Sequence, residues 1–138
     1  LKIHVVEGYF KGPDSDERGC CEVLRALQKY PDTVACYALT SHDNLSMVQA
    51  VREAGMEGQV SVIGTDLNAI TEGLLRERRL KAVINQAAYM KGYTGLNILV
   101  DRMVKNTEPP FRVDCPIDVI LHSNLSFFER SNNRIAWR

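Results

Sequence analysis

Apolar residues fall into two patterns along the chain: short runs rich in β-branched residues, and longer stretches in which apolar residues recur three to four positions apart. The short runs predict five strands, at residues 2–6, 33–38, 60–64, 81–85 and 113–121. The longer stretches predict helices at about residues 15–30, 43–55, 69–79 and 87–104. Residues 123–128 are expected to add a short edge or crossover piece, and residues 131–138 a loosely held tail.

The order of these elements predicts the fold class. Strand and helix alternate four times with short loops, which is typical of an α/β protein with a doubly wound, mainly parallel sheet and helices on both faces. Parallel neighbours need a crossover connection, and the right-handed helical crossover is the usual one. A length of 138 residues with 45% hydrophobic content fits one globular domain, which we expect over residues 1–130.

Polar side chains stand where the predicted strands end, and aromatic residues lie nearby. In parallel α/β sheets, ligands are held just outside the carboxyl ends of the strands. Carboxylates and amides can exchange hydrogen bonds with vicinal hydroxyls, and an aromatic ring can cover the apolar face of a sugar ring. The pattern therefore favours a polyol ligand. The candidates are Glu7, Thr40, Ser41, Asp66, Asn85 and Gln86, with Tyr9 and Phe10 as the aromatic residues.

Each main candidate also has a purely structural interpretation. Asp66 follows the terminal glycine of a strand, where it could contact a ligand or only cap the next helix. Gln86 could contact a ligand or simply begin the fourth helix. Tyr9 and Phe10 could stack on a ligand or pack within their loop. The sequence leaves these alternatives open.

The motifs of common enzyme classes are missing. The glycine-containing turns GYFKG and GTD match neither the dinucleotide fingerprint nor the P-loop, and no nucleophile elbow G-x-S-x-G occurs. Ser41, His42 and Asp43 contain the letters of a catalytic triad, but adjacent loop residues point in different directions. Cysteine and histidine spacing gives no paired zinc ligands. We therefore expect no catalytic residues, no metal and no cofactor.

Charge and cysteine content indicate which partners and which cellular compartment to expect. Seventeen basic residues balance seventeen acidic ones, so these residues by themselves are not expected to bind nucleic acid or a membrane. Four cysteines sit inside predicted elements, which favours a reduced, cytoplasmic location. The chain starts directly on strand-like residues without a methionine or signal region, so we expect it to be the C-terminal part of a longer protein.

Two stretches carry a family resemblance: MVQAVREAGMEGQVSVIGTD and ITEGLLRERRLKAVINQAAYMKGYTGLNILVDRM. They resemble the C-terminal half of the type I periplasmic-binding-protein fold, most closely the effector-binding domains of lactose-repressor (LacI-type) regulators and the ribose-binding proteins. The resemblance covers nearly the whole chain. It implies one lobe of a two-lobed binding protein.

The resemblance also implies roles for individual residues. Asp66 in the GTD turn and Gln86 at the end of INQ would hydrogen-bond sugar hydroxyls. Thr40 and Ser41 occupy the position where the family often places an asparagine contact, so this sequence departs from the pattern there. Tyr9 and Phe10 lie in the loop where the family often supplies an aromatic residue.

The resulting hypothesis is the C-terminal effector-binding lobe of a LacI-type transcriptional regulator. A sugar or polyol would bind between this lobe and a second one, and would change the DNA affinity of a cytoplasmic homodimer through an N-terminal domain that these residues do not contain. One alternative is the sugar-binding component of an ABC importer. Another, from a different class, is a small doubly wound sugar-modifying enzyme.

Overall fold

The computed structural model describes residues 2–7 and 15–132, which contain five helices and four strands. In chain order these are α1 (Ser15–Lys29), β1 (Ala35–Tyr37), α2 (Asp43–Glu53), β2 (Ser61–Thr65), α3 (Ala69–Arg76), β3 (Ala82–Asn85), α4 (Ala88–Lys105), β4 (Asp118–Ile120) and α5 (Leu125–Asn132). None of these helices is long and apolar enough to cross a membrane.

The four strands form one open, mainly parallel sheet in the order β1-β2-β3-β4. β1 pairs with β2 and β2 with β3 in parallel, whereas β4 runs antiparallel to β3. The right-handed crossovers β1–α2–β2 and β2–α3–β3 run in the same direction along the sheet, so they place α2 and α3 on the same face. The predicted class, an α/β protein with an open, mainly parallel sheet, is confirmed.

The core lies between that face of the sheet and the helices. Val62, Val83 and Ile120 point into it from three neighbouring strands, and all are buried. Leu75 of α3 is completely buried among them. α1 packs against α2 and completes the layer of helices. Alternate strand residues therefore carry the apolar side chains that the helical layer covers.

The predicted first strand, at residues 2–6, is wrong. Residues 2–7 form no regular structure and are all exposed, with Ile3 78% accessible. The one described ring contact of this segment is His4 stacked on Tyr30 at 3.6 Å between ring centroids. β-branched residues form a strand only where a neighbouring strand supplies hydrogen bonds, and no described strand pairs with this segment.

The end of the chain also differs from the prediction. The last strand is only three residues long. Residues 123–128 were expected as an edge or crossover piece, but residues 125–128 form the first turn of α5. Asn124 prepares that helix: its Oδ1 accepts from the Leu121 N–H at 2.7 Å and its Nδ2 donates to the Val119 carbonyl at 3.0 Å. Leu125 then enters the core. Residues 133–138 of the predicted tail lie outside the described residues.

α4 is the least packed helix. Its predicted apolar stripe consists of Tyr89, Tyr93, Leu96, Val100 and Met103, all exposed, and none of its 18 residues is buried. The helical periodicity therefore predicted the helix correctly, but it did not predict whether the apolar stripe is buried. An exposed apolar stripe of this length is a surface that normally contacts another protein surface.

We expect the isolated chain to self-associate through the α4 stripe. Sedimentation velocity over a range of concentrations should show species larger than a monomer, and the double variant Leu96→Glu, Met103→Lys should shift the population toward monomer, because it places charges in an apolar contact. Gln59→Glu, an exposed position outside α4, serves as the control for an added charge. A strict monomer at high concentration would contradict the prediction.

Candidate ligand-binding rim

The carboxyl ends of β1, β2 and β3 lie at one edge of the sheet, because these strands are parallel neighbours. We call the polar residues that follow them the rim: Thr40, Ser41, Asp66, Asn85 and Gln86. Backbone and side-chain hydrogen bonds connect the three strand ends to one another. The structure therefore brings five of the site residues predicted from the sequence to one edge of the sheet.

Asp66 is held by its backbone while its carboxylate is left available. Its N–H donates to the Ile84 carbonyl at 2.9 Å, and its carbonyl accepts from Thr71 Oγ1 at 2.9 Å. The backbone is in the left-handed region, with φ of 62°. Within the described residues, no hydrogen bond or ion pair is recorded to the half-buried Asp66 carboxylate.

Asn68, not Asp66, caps α3. The Asn68 Oδ1 accepts from the N–H groups of Ile70 and Thr71, and Thr71 Oγ1 accepts from the Asn68 N–H, which completes a capping box. The structural alternative for Asp66, a helix cap, is thus already filled by another side chain.

Gln86 and Asn85 extend the rim beside Asp66. Gln86 is half-buried, and its Oε1 accepts from Lys91 Nζ at a long 3.4 Å. Ala87, in the left-handed region with φ of 50°, is the N-cap of α4 and makes no side-chain cap, so Gln86 stands before the helix and not in it. Asn85 Oδ1 lies 3.5 Å from the Leu67 N–H, next to Asp66 in sequence.

Thr40 and Ser41 form the third part of the rim. Thr40 is exposed, and its hydroxyl donates to Asp43 Oδ2 at 2.7 Å. The N-cap of α2 is His42, which makes no side-chain cap, and Asp43 in the first turn accepts from Thr40. The Thr40 oxygen still has acceptor capacity toward a ligand hydroxyl.

Two residues near the rim were not among the predicted site residues. Asn44, in the first turn of α2, is completely buried and bonds to the backbone of both Ser41 and Thr65. Tyr37, at the end of β1, is 49% exposed, and its hydroxyl lies 3.1 Å from Thr65 Oγ1. Gly64 could have pointed to Asn44, because a strand residue without a side chain leaves room for a neighbour to approach the backbone.

Three sequence candidates, Glu7, Tyr9 and Phe10, are not among the residues that define the rim. Tyr9 and Phe10 lie outside the described residues. Glu7 is exposed at the end of the segment without regular structure, and no hydrogen bond joins it to the rim. The aromatic side chain that the described part of the structure does place at the strand ends is Tyr37.

The buried cysteines are poor nucleophiles. Burial raises the pKa of the Cys20 thiol to about 11, with further contributions from the Glu53 carboxylate and from Cys21. Burial also raises the pKa of Cys36 above its ordinary value. Both side chains are neutral thiols at physiological pH, and a thiol attacks far more slowly than a thiolate. Across residues 2–7 and 15–132, no group of three or more His, Cys, Asp or Glu residues could hold a metal ion.

Two shallow concavities of the described surface lie outside the rim, and Lys91, which lines one of them, donates to Gln86 of the rim. That one runs between α4 and residues 113–115, and the other is a depression on α1. The rim itself is an open ledge. Such a ledge can cover one side of a ligand, and enclosure would require a second surface facing it.

Comparison with known proteins identifies the fold. No protein-family model matches the chain. The D-ribose/D-allose-binding protein of Pseudomonas aeruginosa is 28% identical over 107 residues, covering 75% of this chain and 34% of that protein. An ABC transporter solute-binding protein from Agrobacterium vitis, bound to α-D-tagatopyranose, superposes with a TM-score of 0.78 at 18% identity, covering 94% of this chain and 43% of that one.

A third similar structure is the Caulobacter myo-inositol-binding protein bound to myo-inositol, with a TM-score of 0.75, 21% identity and coverage of 86% of this chain and 40% of that one. The chain has the type I periplasmic-binding-protein fold. It spans about a third of the length of the curated relative and about two fifths of the solved structures. All three are named as binding proteins and none as an enzyme.

Proposed function

We propose that this chain is one lobe of a two-lobed sugar-binding protein and that its rim contacts the hydroxyl groups of a sugar or polyol. The observation that carries the proposal is Asp66, whose backbone is held by two hydrogen bonds while its carboxylate accepts none from the described residues. A carboxylate is acceptor-only and can receive two or more hydroxyl donors. The similar proteins named above support a sugar or polyol as the ligand class.

Each rim residue would contact the sugar through its own polar group. Asp66 accepts from hydroxyl groups, Gln86 and Asn85 both donate and accept through their amides, and Thr40 and Ser41 supply hydroxyls on the other side. Tyr37 is placed to offer an aromatic surface near the strand ends. Because the rim is an open ledge, the ligand would lie between it and a second lobe, and closure of the two lobes would exclude water.

Between the two binding roles, we favour the solute-binding component of an importer over the LacI-type regulator. The similar proteins with sugar ligands include an ABC transporter solute-binding protein, which supports this role. This role would place the protein outside the cytoplasm, in contrast to the cytoplasmic location expected from its cysteines. Binding to DNA through another domain and a homodimeric state remain predictions from the resemblance.

One observation favours the regulator. Cys20, Cys21, Cys36 and Cys115 are all free in the structure, as expected for a protein in a reducing compartment. The residues that precede Leu1 in the gene discriminate between the two roles. A signal peptide would establish the exported binding protein, and a helix-turn-helix would establish the regulator.

Isothermal titration calorimetry of this chain with D-ribose, D-allose, D-tagatose and myo-inositol tests the ligand class, with L-leucine as a ligand that lacks hydroxyl groups. We expect at least one polyol to bind with a Kd of roughly millimolar strength, because a single lobe covers only one side of the ligand. Binding of leucine in preference to every polyol, or no binding of any polyol, would contradict the proposal.

A further inference from the structure

We propose that Asn44 is the positioning residue of the rim: its carboxamide takes the place of one peptide unit of β1 and fixes the backbone that carries Asp66. The inference rests on the proposed function in so far as Asp66 contacts the sugar. The other part of the inference, that the Asn44 side chain replaces a peptide unit of β1, rests on the hydrogen bonds alone.

The hydrogen-bond pattern at the end of β2 shows where the Asn44 side chain takes the place of a neighbouring strand. The last backbone bond between β1 and β2 runs from the Ala38 N–H to the Ile63 carbonyl at 2.9 Å. Alternate residues of a strand direct their N–H and C=O groups to opposite neighbours. Since the Asp66 N–H bonds to Ile84 on the β3 side, the Thr65 groups face the β1 side, where the β1 backbone has already left the sheet.

Asn44 satisfies both of these Thr65 groups. Its Oδ1 accepts from the Thr65 N–H at 3.0 Å, and its Nδ2 donates to the Thr65 carbonyl at 2.8 Å. One donor and one acceptor on a planar amide reproduce what a neighbouring strand would supply. The same Nδ2 donates to the Ser41 carbonyl at 3.0 Å, so one side chain joins the rim segment after β1 to the segment after β2.

Because β1 ends before β2, the chain after it can form the part of the rim that contains Thr40 and Ser41. Once the chain after Ala38 is released from pairing, Thr40 and Ser41 can turn outward beside the strand ends. Thr65 Oγ1 donates to the Ala38 carbonyl at 2.6 Å and holds the point of departure. Without Asn44, the Thr65 backbone groups would be buried without partners, which is costly.

Packing makes the arrangement depend on Gly64. Asn44 has no accessible surface, and a Cβ added at Gly64 would lie 2.7 Å from Asn44 Oδ1 and 3.1 Å from Leu80 Cδ1. Glycine at position 64 is therefore required to seat the carboxamide against the strand. Because Asp66 turns into the left-handed region one residue after Thr65, the direction of its carboxylate follows from the peptide that Asn44 holds.

The test compares Asn44→Ala with Val48→Ala, measuring amide hydrogen exchange and the affinity for D-allose in this chain. Val48 lies on the same helix, is buried in the core and makes no contact with the rim hydrogen bonds, so it controls for lost stability. We expect Asn44→Ala to speed exchange of the Thr65 amide about tenfold beyond the effect of Val48→Ala, which corresponds to one lost hydrogen bond. The D-allose affinity should fall by about the same factor.

Equal Thr65 exchange in the two variants would overturn the inference. If Asn44→Ala does not fold, Asn44→Leu replaces it: leucine is similar in size but offers neither an acceptor to the Thr65 N–H nor a donor to the Ser41 and Thr65 carbonyls, so the same increase in exchange is expected. Failure of the unmodified chain to bind D-allose or the other polyols would count against the proposed function, whereas the exchange result would still decide the role of Asn44. D-allose binding that is unaltered in Asn44→Ala relative to Val48→Ala would overturn the positioning role and leave the proposed function intact.

Discussion

Asp66→Ala is expected to lower the affinity for a bound sugar about 100-fold while leaving the fold intact. The variant removes a carboxylate that, in our proposal, accepts two charge-assisted hydrogen bonds from ligand hydroxyls. Each such bond contributes about 1.5 kcal/mol or more, and about 1.4 kcal/mol corresponds to a factor of ten in Kd. The fold should survive because Asn68 caps α3 and because the backbone bonds of Asp66 do not involve its side chain.

Glu57→Ala is the matched control for this prediction. Glu57 is an exposed carboxylate in the turn before β2, at the opposite end of that strand from Asp66. Its removal changes the net charge by the same amount but should leave sugar affinity within about twofold, since charges more than a Debye length apart are largely screened. An equal loss of affinity in both variants would mean that overall charge, and not the Asp66 contact, governs binding.

Leu75→Ala is expected to lower the free energy of unfolding by about 3 kcal/mol. Leu75 lies on α3, has no accessible surface and belongs to the core cluster that joins the helices to β3 and β4. Truncation removes buried methyl groups and leaves a cavity that the surrounding side chains fill only in part. Urea denaturation followed by circular dichroism measures the change, provided that the slope with denaturant stays constant.

Leu96→Ala provides the comparison, with the same chemical change on another helix. Leu96 is 61% exposed on α4, so its truncation should cost less than about 0.5 kcal/mol in the monomer. At a concentration where the chain is monomeric, a loss at Leu96 comparable to that at Leu75 would show that α4 packs against the rest of the chain. It would then contradict the exposed position that the structure gives to this helix.

The central strands and their polar ends could be predicted from the sequence because two local signals agree there. The apolar runs at residues 60–64 and 81–85 end in GTD and INQ, and the structure places β2 and β3 within one residue of these bounds. Gly55 marks the end of α2 through its left-handed φ of 69°. α3 ends three residues early, because Arg78 adopts the left-handed conformation that a glycine would have signalled.

The parts that could not be predicted depend on contacts between distant residues. Residues 2–6 have the composition of a strand but no described strand to pair with. The apolar stripe of α4 has helical spacing, yet spacing does not reveal whether a surface covers it. Asn44 lies in the first turn of a predicted helix, and only the approach of β2 reveals its bonds to Thr65. Side-chain roles across the sheet are therefore invisible to a reading of periodicity.

Mapping of amide chemical shifts during titration with D-allose tests the central claim most directly. The account predicts that the amides of residues 40–41, 65–67 and 85–86, which lie at the carboxyl ends of three parallel strands, change together and saturate with a single Kd. The shallow concavity between α4 and residues 113–115 should show no saturating change. Saturating shifts confined to that concavity, or to the opposite ends of the strands, would contradict the assignment of the rim as the sugar-binding site.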